Sequence, residues 1–167
     1  MDLGPELERV LWASKAQPEW NADDDVPKAL LALATAVERD EASRAYHRLL
    51  FAVGNNHAGT YFPVVLDALP YLRIILEGGT ALQRGTVLGI LLDLTGSFAP
   101  DPDHRYIDID GHQVGLKPEL HERIRELLPL IGTLSQEPLS LPAGWKISEA
   151  EFRASLGDLD SMEDEVD

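Results

Sequence analysis

"TYFPVVLDALPYLRIILEGGTALQRGTVLGILLDLT", residues 60–95, decides the fold. Its first half is apolar nearly all round. The interruptions, Pro63, Asp67, Pro70 and Glu77 with Arg73 close by, fall on one face at helical spacing. That pattern predicts a central, mostly buried helix over 60–77 with a single wet stripe. A proline inside a helix frees the carbonyl four residues earlier, here that of Leu66, and on the wet stripe water satisfies it. "EGG" then ends the helix, and Thr80 with Gln83 forms the box that caps a new one, expected to run to about Thr95. Gly85, Gly89 and Gly96 line one side of this second helix. Glycine costs ~1 kcal/mol there relative to alanine, so the row implies a neighbour's backbone lying close.

Working outward, helical spacing dominates on both sides. "GPELERVLWASKA" opens with Pro5, suited to a first helical position, and places Leu7, Val10 and Leu11 on one face. "DDDVPKALLALATAVERD" supplies capping aspartates, Pro27 near the start, and Val26, Leu30, Leu33 and Val37 as its stripe. "EASRAYHRLLFAVG" carries Tyr46, Leu49, Leu50 and Val53, with Gly54 read as a left-handed stop. Between this helix and the central one lies the corner "NNHAGT", where Thr60 is expected to cap the next helix.

Downstream, residues 98–116 are rich in Asp and Pro, and "HRYIDIDGHQVGL" alternates as a short hairpin turning at Asp110-Gly111. "LKPELHERIRELLPLIGTL" reads as one more helix, burying Leu120, Ile124, Leu127, Leu128 and Ile131. The loop "SQEPLSLPAGWK" leads to a second capping box, Ser148 with Glu151, and a short last helix. Beyond Gly157 the chain is acidic and expected to be disordered.

The 167 residues suit one domain with a sizeable core. No run reaches the ~18 uncharged apolar residues of a membrane span, and the acidic start "MDLGPELERV" has no signal-peptide pattern. With no cysteine, neither a disulfide frame nor a thiolate metal site is available. The expected location is cytoplasmic. Lys and Arg total 14 against 29 Asp and Glu, a net charge of −15. Such a field opposes nucleic-acid phosphates and anionic membranes and attracts cationic partners. A bland reading stands beside it: solubility and a solvated tail, since residues 148–167 alone hold eight acids against one Arg.

Sliding "DEASRAYHRLLFAVG" by 40 residues brings Arg44 onto Arg84, Leu50 onto Ile90 and Phe51 onto Leu91. A proline-bearing first helix (Pro70), a short turn ("EGGT") and a second helix opening with an arginine (Arg84) resemble HEAT repeats, which have this two-helix period. Arg153 in "SEAEFRASLGDL" takes the equivalent place in another such second helix. The resemblance is to the short HEAT-like proteins of bacteria and covers residues 24–97, with 117–157 more loosely. It implies an all-α fold: antiparallel helical hairpins stacked as a short HEAT-like solenoid, with one Asp/Pro-rich loop or small hairpin inserted. The domain would span 1–157, with the acidic tail over 158–167. A compact irregular bundle is the competing architecture.

No nucleophile elbow, phosphate loop, dinucleotide fingerprint or His-Glu-x-x-His is present. In "APDPDHRYIDIDGH", His104, Asp108, Asp110 and His112 are the residue types that hold a divalent metal. Aligned as a calcium hand on Gly111, however, the loop puts Tyr106 first and Lys117 twelfth, both wrong. His121-Glu122 is one pair where HEAT-like metal hydroxylases need several. A basic strip from Arg39, Arg44, Arg48 and Arg84 is too small to outweigh the acidic field. Asn55, Asn56 and His57 offer polar groups to a ligand, though every corner residue except His57 also has a turn-forming job.

The expectation is therefore a non-enzymatic module that binds a basic protein, with no cofactor, nucleic acid or membrane involved. An immunity protein blocking a cationic toxin is its most concrete form. Its expected contact set is Glu41, His47, Asn55, Asn56, His57, Asp93, Asp101 and Asp103. The alternative is a metal- or small-ligand-binding enzyme that uses the 98–116 loop.

Overall fold

A computed structural model describes residues 3–157 and residue 159. The protein is mostly helical, with eight α-helices among the described residues: α1 (Gly4–Leu7), α2 (Asp25–Thr35), α3 (Arg39–Val53), α4 (Val64–Gly78), α5 (Ala81–Leu92), α6 (Leu116–Arg125), α7 (Leu128–Leu134) and α8 (Glu149–Leu156). Helix α2 packs against α3, α3 and α4 against α5, α4 against α6, and α5 against α8. Leu30, Leu33, Leu49, Leu50, Leu72, Ile75, Leu88 and Ile90 are among the side chains fully enclosed where these helices meet. Of the expected tail, Leu159 is buried in this core, and the rest of 158–167 lies outside the described residues.

The central helix keeps its expected wet stripe: Pro70, Arg73 and Glu77 are exposed, Pro63 and Asp67 half-buried, and the residues between them enclosed except for half-buried Ile74. Both capping boxes form. Thr80 Oγ1 accepts from Gln83 N at 3.3 Å while Gln83 Oε1 accepts from Thr80 N at 2.9 Å. Ser148 and Glu151 repeat the arrangement at the start of α8. Gln83, buried, also donates to the carbonyls of Ala34 and Ala36 at 2.9 and 3.0 Å, fastening the end of α2 to α5. The glycine row has two kinds of neighbour. A Cβ on Gly85 would sit 2.3 Å from the carbonyl oxygen of Ser140, and one on Gly89 would sit 2.0 Å from the Trp145 ring. Among the described residues nothing lies within 4 Å of where a Cβ on Gly96 would sit.

Four expectations are corrected. First, the opening helix is a single turn, followed by a 3-10 turn at Trp12–Ser14. Trp12 is buried beside Tyr71, and its Nε1 donates to the Leu7 carbonyl that a continuing helix would use. Leu11 is left 78% exposed, and Val37, beyond the end of α2, 75% exposed. Second, Gly54 is extended rather than left-handed (φ −174°). It pairs with Tyr61 so closely that a Cβ would lie 2.0 Å from the Thr60 carbonyl oxygen.

Third, Thr60 does not cap α4. It belongs to a small sheet in which β1 (Gly54–Asn55) runs antiparallel to β2 (Thr60–Tyr61), and β2 runs parallel to β3 (Ala99–Pro100). The α4 amide of Val64 donates instead to the Ala16 carbonyl at 3.0 Å. Fourth, the helix read over 116–134 is split. Pro129 has no N–H for the Arg125 carbonyl, and Leu127 N closes a tight turn on Ile124 O before α7 restarts. The expected hairpin forms as β4 (Tyr106–Ile109) and β5 (His112–Gly115), with Asp110 and Gly111 at φ 53° and 81°.

Candidate functional site

The small sheet brings together two of the stretches singled out by sequence. Ala99 N donates to Gly59 O at 2.9 Å and Asp101 N to Tyr61 O at 2.8 Å, so the 55–57 corner and the 101–104 loop become neighbours. Most of their polar atoms are engaged locally. Asn55 Oδ1 accepts from His57 N and Ala58 N at 3.1 and 3.2 Å, an Asx turn. Asp101 Oδ1 accepts from Asp103 N at 3.1 Å and lies 3.3 Å from His104 Nδ1. The His104 ring packs on Phe62 with centroids 4.7 Å apart. His57 and Asp103 are exposed, and Asn56 is half-buried.

An aromatic patch that the sequence reading missed adjoins this region. Trp20 and Phe51 are 48% and 42% exposed, with rings 5.6 Å apart, and Trp20 meets Phe62 edge-on at 6.2 Å. Phe51 lies one helical turn beyond His47 on α3. Exposed tryptophan is the side chain most enriched at binding hot spots, so this face suits a protein contact.

His47 and Asp93 meet in a separate cleft of about 600 Å³ between α3, the end of α5 and the 144–147 loop. Tyr46, Trp145, Phe152 and Lys146 complete its lining. The Tyr46 hydroxyl donates to Asp93 Oδ2. Its ring meets His47 at 5.0 Å and Trp145 at 5.1 Å, both edge-on, and Trp145 meets Phe152 at 5.7 Å. Burial first, then the adjacent Asp93 carboxylate, push the Tyr46 phenol well above its ordinary value. The hydroxyl therefore stays protonated at neutral pH and donates to the carboxylate. Sequence singled out Gly89 for a close neighbour but did not connect it with Trp145 in the "SQEPLSLPAGWK" loop. Their pairing was the available signal for the cleft, since a bare helix position and a loop tryptophan fit each other.

Glu41 lies elsewhere. Its Oε2 accepts from Val37 N and Glu38 N at 2.9 and 3.1 Å, capping α3. Those backbone hydrogen bonds hold its carboxyl below the ordinary range. It lines a shallow depression with Arg44 and Arg48. The other two arginines of the considered basic strip are turned to structure: Arg39 Nε donates to Leu141 O at 2.8 Å, and Arg84 pairs with Glu137 at 2.6 Å.

Among the described residues no group of three or more His, Asp, Glu or Cys is placed to hold a metal ion, and His104, Asp108, Asp110 and His112 form none. Asp108 Oδ1 instead accepts from Gly111 N at 2.9 Å, organising the hairpin turn. No helix among the described residues is long and apolar enough to cross a membrane. Comparison with family models, curated proteins and solved structures found no match to this chain.

Proposed function

We propose that the protein is a non-enzymatic binding module of short HEAT-like type, its helical hairpins stacked to present a rigid acidic face to a basic protein. The most concrete form is a cytoplasmic immunity protein that covers the cationic substrate face of a cognate toxin. One observation supports the reading above the others: the distribution of ion pairs. Lys15, Lys28, Arg73, Arg84, Arg123, Arg125 and Arg153 each pair with an Asp or Glu of this chain. At least seven of the 14 cations are thus matched internally among the described residues, and the 29 acids outnumber all 14 cations by 15. A surplus of one sign steers an oppositely charged protein and repels nucleic acid. The aromatic patch at Trp20 and Phe51 supplies the apolar contact that charge alone does not.

The test is coexpression with the product of the adjacent reading frame, followed by kinetics on the purified pair. The expected result is relief of that protein's toxicity and an on-rate near ~10⁸ M⁻¹s⁻¹ at low salt that falls steeply as salt is raised. A complex whose on-rate stays flat from low to high salt refutes the acidic-face mechanism.

A further inference from the structure

We propose that the cleft between α3, α5 and the 144–147 loop anchors one arginine side chain of the partner, its guanidinium lying against the aromatic walls with Asp93 as counter-ion. The proposal rests on the basic-partner reading and gives it a specific point of contact. Three features of the cleft carry it.

The first is space. About 600 Å³ stands open beside half-buried aromatic rings, ample for a guanidinium and its three-carbon stem. Gly89 lets the Trp145 ring close against α5 as one wall of the cleft, because any Cβ there would collide with that ring. The second is the wall chemistry. Tyr46, Trp145 and Phe152 form a continuous edge-to-face chain, and an aromatic face attracts a cation within about 6 Å of its centroid, more strongly where water is excluded. The third is the carboxylate. Asp93 Oδ2 accepts from the Tyr46 hydroxyl, which fixes the orientation of the group before any ligand arrives, while Oδ1 takes no hydrogen bond from the described residues.

Arginine fits this arrangement better than lysine. Its planar, weakly hydrated fork stacks on rings and donates to a carboxylate at once, whereas an ammonium is a compact, strongly hydrated point charge. Lys146 sits exposed on the rim. It sets the direction of approach, since a cation entering over Lys146 is repelled and one entering along the aromatic wall is not. Lys146 also distinguishes two sources of the same guanidinium. Free arginine brings an α-carboxylate that Lys146 can pair with, and a side chain within a protein does not.

The experiment titrates the ¹⁵N-labelled full chain with N-acetyl-arginine N-methylamide, with its neutral citrulline counterpart and with free arginine. The Trp145 indole N–H is followed, assigned through Trp145→Phe. The blocked arginine is expected to shift that signal saturably with a Kd in the millimolar range, and the citrulline derivative to leave it in place. Asp93→Asn, checked for native dispersion of its amide spectrum, is expected to weaken binding about tenfold or more. An unmoved Trp145 signal in the wild-type chain overturns the proposal, and so does an equal response to the citrulline derivative. Free arginine binding about tenfold tighter than the blocked form would also overturn it, by making the cleft a small-molecule site. These titrations need no partner, so their failure leaves the acidic-face reading to be judged by its own salt dependence.

Discussion

Gly85→Ala and Gly132→Ala are the same chemical change in two helices and should have opposite signs. In both, alanine removes the entropy that glycine loses on folding, a gain of ~0.5–1 kcal/mol. Gly132 is exposed on α7, and no described residue comes within 4 Å of where its Cβ would sit, so it should show that gain alone. At Gly85 the new methyl lands 2.3 Å from the Ser140 carbonyl oxygen and 3.6 Å from Leu141 Cδ2. Ordinary contact starts near 3.4 Å, so the backbone at Ser140 must retreat by about 1 Å. Retreat strains the Ser140 N to Ala81 O bond at 3.2 Å and the Arg39 Nε to Leu141 O bond at 2.8 Å. It also lifts the buried Leu139 and Leu141. Overpacking of this kind costs ~1–3 kcal/mol, with ~1 kcal/mol more from the weakened bonds, against the ~1 kcal/mol helix gain. The net expectation is a loss of about 2 kcal/mol, or roughly 4–8 °C in Tm. Urea unfolding of both variants beside the wild type measures it. If Gly85→Ala stabilises as Gly132→Ala does, the 137–141 segment does not lie on α5, and the account of the glycine row is wrong.

Other substitutions probe the polar interior and the helix ends. Gln83→Ala strands the carbonyls of Ala34 and Ala36 and the Thr80 amide, and should lower the urea-derived stability by about 3 kcal/mol. Tyr61 is fully buried and its hydroxyl has no partner among the described residues, so Tyr61→Phe should stabilise by ~1 kcal/mol or more in the same assay. Burial raises the Tyr61 phenol above its ordinary value of 10.0. Its contribution is therefore intact below that pH and lost as pH rises beyond it, and Tyr61→Phe should flatten the alkaline decline seen by circular dichroism. Glu41 and Glu151 are held below their ordinary value of 4.5 by the hydrogen bonds of their caps. Their contribution is present above 4.5 and disappears as pH falls through the lowered folded value, so the protection of the Val37 and Ser148 amides, taken relative to the exchange rate of an unstructured peptide at the same pH, should fall there. Glu41→Gln should leave the Val37 amide with a weaker acid response, and an unchanged response removes Glu41 as its cause.

Local chemistry was legible before the fold was known. The Thr80–Gln83 and Ser148–Glu151 boxes and the Asp110-Gly111 turn each need only bonds between residues three apart, or a positive φ. Neighbours in sequence settle such features whatever lies further away. The opening segment shows where this stops. Leu7, Val10 and Leu11 have helical spacing, yet burying the Trp12 ring against Tyr71 redirects the chain and leaves Leu11 in water. A long-range aromatic contact outweighs the weak propensity of one short helix.

The site divides along the same line. Sequence placed His47 and Asp93 among the candidate contacts but also grouped them with Glu41, whose carboxylate is a helix cap on another part of the surface. It offered no sign that β3 would join β1 and β2, because two-residue strands separated by some 40 positions carry no periodicity to read.

The amino-acid sequence by itself determined that this chain is largely helical, where most helices begin, which stripe of the central one stays wet, and that the whole is strongly acidic. These follow from period, caps and composition, which are local or additive properties. Only the tertiary structure decided that Trp145 would lie on Gly89 and turn Tyr46 and Asp93 into one cleft, and that the 55–57 corner would join the 101–104 loop. Those arrangements depend on burial between segments far apart in the chain, and that free energy exists only after the helices have packed.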